Sequence, residues 1–138
     1  MTTVTLTFEQ VKQEVLRLSE YIGKKAGAFD KLRAIEEDSE QLHKWWNDGL
    51  VIVATALDRI IVRPMLVDAA SDSATFELQY KNDNSALLAE AAARVVALHI
   101  VVRWLKLVAP ALVEAYTADF AQARDELMRL AYYREMPK

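Results

Sequence analysis

Cysteine is absent from this chain of 138 residues. Without thiols there is no disulfide, no thiolate metal site and no cysteine nucleophile, an absence that suits a reducing cytosol. Glycine occurs only three times, too rarely for a phosphate-cradling loop, and no Gly-x-Ser-x-Gly elbow is present. Histidine occurs twice, at His43 and His99. Glu40-x-x-His43 has the form of half a di-iron helix motif, but a full site needs a second such pair, and Val96 stands three residues before His99. The acidic run Glu36-Glu37-Asp38 reads as a solvated helix start and not as an acid/base pair. These absences predict no catalytic residue, no cofactor and no metal, although sites assembled from distant residues leave no local signature. The net charge of −3 lacks the surplus of Lys and Arg that phosphate contacts need, so no sequence-specific nucleic-acid partner is expected. Met1-Thr2-Thr3-Val4 has no basic-then-apolar layout of a signal peptide. The most apolar stretch, Ala86 to Val108, carries Glu90, Arg94, His99, Arg103 and Lys106, and so falls short of the ~20 uncharged residues that cross a bilayer. It reads as a core helix, with no membrane partner.

What is abundant is apolar residues, 53% of the chain, enough for a single domain over 1–138 to build a core. Their spacing predicts a mainly α fold, a four-helix bundle-like domain with one β-hairpin between helices 2 and 3. Thr7-x-x-Gln10 has capping-box form, and Val11, Val15, Leu18 and Ile22 follow on one helical face, giving a helix over about 7–25. A second helix spans about 39–61. Its acidic start suits the helix dipole, and its nearly unbroken apolar run Leu50–Leu57 predicts burial on several sides. Pro64 ends it. Thr75 to Tyr80 then alternates, with Phe76, Leu78 and Tyr80 on one face and Thr75, Glu77 and Gln79 on the other. With Val62–Val67 it forms a hairpin over about 62–80. The third helix, about 86–108, is alanine-rich in its first half, which permits close approach of a neighbour, and Glu90 and Arg94 stand at favourable pair spacing. Pro110 opens the last helix, about 110–133, where Leu112, Tyr116, Phe120, Ala123, Leu127 and Leu130 form a clear stripe.

The residues that could carry contacts to other chains are few. Trp45 and Trp46 point about 100° apart on a helix. One is therefore expected in the core and the other, Trp45 in the interface reading, nearer the surface as a contact anchor or a cap on the bundle's end. Tyr132 and Tyr133 pose the same choice between contact and packing. Arg59 and Arg63, with Arg94, Arg103 and Lys106, either lie along the core edge or meet acidic residues of another subunit such as Glu36, Glu37 and Glu40. His43 reads as a surface residue and His99 as a core-boundary residue with satisfied nitrogens.

Three stretches are similar to one known family. Thr7-Phe8-Glu9-Gln10-Val11-Lys12-Gln13-Glu14-Val15 resembles its opening helix. Asp38-Ser39-Glu40-Gln41-Leu42 leading into Ala54-Thr55-Ala56-Leu57 resembles its second. Ala89-Glu90-Ala91-Ala92-Ala93-Arg94-Val95-Val96, followed by Tyr116-x-x-x-Phe120-x-x-Ala123-Arg124-Asp125-Glu126-Leu127, resembles its closing pair. The family is the head–tail connector (adaptor, or head-completion) proteins of tailed bacteriophages and prophages. The resemblance implies a non-catalytic, ring-forming structural protein of the virion neck, or of the bacterial cytoplasm when expressed from a prophage. Its partners would be copies of itself, the portal and the next tail or neck component. No motif here names a portal-binding element, and no functional residue is carried over. The alternative is a bacterial helical interaction or regulatory module acting as a small homo-oligomer.

Overall fold

A computed structural model describes residues 2–26, 39–62, 66–68, 72–79, 85–108 and 110–132. In chain order the elements are β1 (Thr2–Thr7), α1 (Phe8–Ala26), α2 (Ser39–Ala56), β2 (Leu66–Asp68), β3 (Ser73–Leu78), α3 (Ser85–Val108) and, after a 3-10 turn at Pro110–Leu112, α4 (Val113–Tyr132). The fold is thus mainly helical, with four helices and a small antiparallel sheet.

The expected hairpin is present, with Leu66 opposite Thr75 and Asp68 opposite Ser73. It is one side of a three-stranded sheet in the order β1-β3-β2. The added strand is the threonine-rich segment before α1: Val4 lies opposite Phe76 and Leu6 opposite Ala74. Alternation sets the faces. Val4, Leu6, Ala74, Phe76 and Leu78 are buried, while Thr3, Thr5 and Thr7 are exposed. Ile61 adds a single bridge to Leu78. Tyr80, expected to extend the buried face, lies outside the described residues.

The change from β1 to α1 is abrupt, and side chains and backbone from elsewhere complete it. The Gln10 amide donates to Thr7 Oγ1 at 3.2 Å, the N-cap bond expected of a threonine there. The Phe8 amide, which has no partner inside its own helix, donates to the Asp72 carbonyl at 2.7 Å. Asp72 holds φ at 48°, a left-handed conformation that aspartate tolerates better than most residues. Val11 and Val15 then face the core; the side chain of Ile22 lies outside the described residues.

α3 is the hub. It packs against α1, α2, α4 and β1, and buried side chains surround it, from Leu88 through Val95–Leu98 to Trp104 and Leu105. By length and composition it could cross a membrane; here 56% of that apolar stretch is buried inside the fold. α2 buries Leu42, Trp45, Trp46, Leu50, Val53 and Leu57, and the chain leaves it in turns over 57–61, so it ends earlier than the expected boundary near 61. At Gly49 the packing on α3 is tight: a Cβ there would stand 2.7 Å from Val96 Cγ1.

Candidate functional site

The structure revises the list of contact candidates. Trp45 and Trp46 are both in the core, 5% and 2% exposed, so Trp45 is not a surface anchor. The physical reason is the width of the buried stripe. Leu42, Trp45, Trp46, Leu50, Val53 and Leu57 occupy a face wide enough to take two side chains 100° apart. Phe8 meets the Trp46 ring edge-on at 5.8 Å. Tyr132 is half-buried, and its hydroxyl donates to the Ala56 carbonyl at 2.7 Å. It therefore ties the end of α4 to the last residue of α2. Arg59 is exposed, in the turn after α2, and makes no ion pair among the described residues. Arg63 and Tyr133, with Glu36 and Glu37, lie outside the described residues. Arg103 is already engaged within the chain, 3.9 Å from Asp48. Glu90 and Arg94, expected as a pair, form no ion pair among the described residues.

The apolar run Leu50–Leu57 is not buried on several sides. Leu50, Val53 and Leu57 are in the core, but Val51 is 65% exposed. The reason is the position of α4. α2 and α4 touch only sparingly, and the Tyr132 hydroxyl bonded to the Ala56 carbonyl joins their C-terminal ends. Between them a groove of about 580 Å³ stays open, with Val51, Ile52, Thr55 and Ala56 on one wall and Arg124, Asp125 and Met128 on the other. Its lining is mainly apolar, and its volume lies within the ~300–1,000 Å³ typical of binding clefts. Ala56, on its lining, accepts the hydrogen bond from the Tyr132 hydroxyl. Arg124 lies over the Phe120 ring, 6.0 Å from its centre, while Asp125 is exposed and has no ion pair among the described residues.

The histidines occupy two unlike settings. His43 stacks on Phe8 with ring centres 4.0 Å apart, and its Nε2 lies 3.3 Å from Asp72 Oδ1. It therefore links α2 to the turn that also receives the Phe8 amide. His99 sits on α3 beneath α4, its ring 6.1 Å from that of Phe120. Its Nε2 is buried without a hydrogen-bond partner among the described residues, contrary to the expectation of satisfied nitrogens. Burial lowers its pKa from the ordinary value; the Arg103 and Lys106 charges act the same way, and Asp48 opposes them. Among the described residues no three His, Asp or Glu side chains converge as metal ligands would.

Comparison with protein-family models, with curated proteins and with solved structures found no match for this chain. The candidate site therefore rests on its geometry. It is the open α2–α4 groove. Its residues went unnoticed in the sequence although a signal was there. Val51 is apolar yet misses the stripe of Leu42, Trp46 and Val53, and Met128 misses the stripe of Ala123 and Leu127 in the same way. Large apolar side chains off their helix's core stripe point to a second surface.

Proposed function

We propose that the protein is a non-catalytic structural component of a phage or prophage neck, a head–tail connector that assembles as a ring against the portal. The reading is supported by the likeness of its three stretches to that family, together with four helices and a hairpin between the second and the third. The observation that carries it is the hairpin's outer strand. Leu66 and Val67 point to opposite faces of β2, yet both are largely exposed, 65% and 51%. An edge strand with an apolar side chain exposed on each face is a surface that another chain can cover, which supports the reading. In a neck ring, the covering chain is the next copy or the portal.

The test is the particle. Phage particles assembled with the tagged chain should contain it in fixed stoichiometry with the portal, and a neck reconstruction should place it as a closed ring between portal and tail. Particles that assemble completely without the chain would overturn the reading.

A second reading, a bacterial helical interaction or regulatory module acting as a small homo-oligomer, draws support from the open α2–α4 groove. It loses the tryptophan anchor on which a dimer contact had been expected, since both indoles lie in the core.

A further inference from the structure

The α2–α4 groove has a feature that a general apolar cleft lacks. Its rim carries one charge of each sign, side by side. Arg124 and Asp125 both line the opening, both are exposed, and neither has an ion pair among the described residues. Beside them Val51 projects from the opposite wall, 65% exposed, and Met128 is 37% exposed. The surface thus holds a projecting apolar side chain, a recess to receive one, a cation and an anion. That is the set of parts a patch needs to bind a copy of itself. In a two-fold contact every residue pairing occurs twice with the roles exchanged, so a patch carrying adjacent opposite charges is complementary to itself.

We propose that this groove is a two-fold self-association surface. Val51 of each copy enters the groove of the other, Met128 and Ile52 line its seat, and Arg124 of each copy faces Asp125 of the partner subunit. The contact goes beyond the neck assignment and does not depend on it. A two-fold pair closes on itself and cannot by itself propagate into a ring, so a ring would need a second surface, such as the exposed strand β2.

Charge reversal tests the pairing directly. Sedimentation of the full chain over a concentration series should give a reversible monomer–dimer equilibrium. Arg124→Asp places two acids against each other twice, and Asp125→Arg does the same with two bases. Each should weaken self-association ~10-fold or more. Mixing the two variants should restore a dimer, now a heterodimer, because every cross-pair is again of opposite sign. Val51→Asp should give monomer. All three positions are exposed, so unchanged circular dichroism and thermal melts will show that the fold is intact. A wild-type chain that stays monomeric throughout, or a dimer whose constant ignores these substitutions, would overturn the proposal. Neither result touches the particle test, so the two readings fail separately.

Discussion

α3 and α4 lie side by side, and the sequence advertises them in opposite ways. α4 has the clear stripe, yet only Ala123, Leu127 and Ala131 are fully buried along its twenty residues. α3 shows little amphipathic order, yet it buries Leu88, Val95–Leu98, Ile100–Val102, Trp104 and Leu105, while Glu90, Arg94, Arg103, Lys106 and Leu107 stay exposed. Periodicity therefore measures how unlike a helix's two sides are, and says little about depth. The pattern of α3 is weak because apolar residues such as Leu87 and Leu107 also stand on its exposed side, among the charges.

The sharpest way to break that contrast is to truncate a large side chain on each helix. Trp104→Ala removes a ring that is 2% exposed and should cost about 3–5 kcal/mol in urea unfolding. Met128→Ala on α4 should stay within about 0.5 kcal/mol. Equal losses would mean that α4 seals the core as completely as α3 does. A smaller effect is expected where α2 meets α3. Gly49→Ala places a Cβ 2.7 Å from Val96 Cγ1 and 3.3 Å from its Cα. The overpacking costs about 1–3 kcal/mol, against roughly 1 kcal/mol gained by removing glycine from a helix. The net should be a loss of ~1 kcal/mol, largely recovered when Val96→Ala is added in a double-mutant cycle. A stabilised Gly49→Ala would show that the two helices have room to part.

The smallest effect concerns the α3–α4 seam itself. Burial lowers the pKa of His99 in the folded state, so the unfolded chain binds the extra proton first as the pH falls. The contribution of neutral His99 is complete above the ordinary histidine value of about 6.5. It is lost as the pH drops from there to the folded-state pKa. His99→Leu should flatten the stability profile in that window relative to wild type, as read from unfolding midpoints at stepped pH. Parallel profiles for the two proteins would remove His99 from the seam's pH response.

The helices were legible from spacing and caps, and the start of the last from Pro110, because each of these acts over four residues or fewer. Pro64, expected to end α2, lies outside the described residues, and α2 already ends at Ala56. The alternation at 75–78 was legible for the same reason. β1 was overlooked although Thr3-Val4-Thr5-Leu6-Thr7 alternates just as strictly; the capping threonine at its end drew attention to the helix instead. That strand is recognisable as part of a sheet only through Phe76 and Ala74, some seventy positions away, and no local rule reports such a partner. The groove was hidden for a different reason. Val51 and Met128 look like further core residues until the spacing of α2 and α4 is known, and that spacing is set by how both helices sit on α3. The paired tryptophans failed the opposite way: the rule of 100° was right, and the stripe was simply broader than one side chain.

The pairing of β1 with β3 has a consequence for the order of events during synthesis. Thr5 and Thr75 face each other across the ladder, their hydroxyls 3.2 Å apart. β1 therefore leaves the ribosome without a partner and stays so until β3 has followed. Closing so long a loop is entropically costly and slow compared with winding a helix. For that interval Val4 and Leu6 have no sheet to enter, and the alternating threonines around them keep the waiting strand soluble.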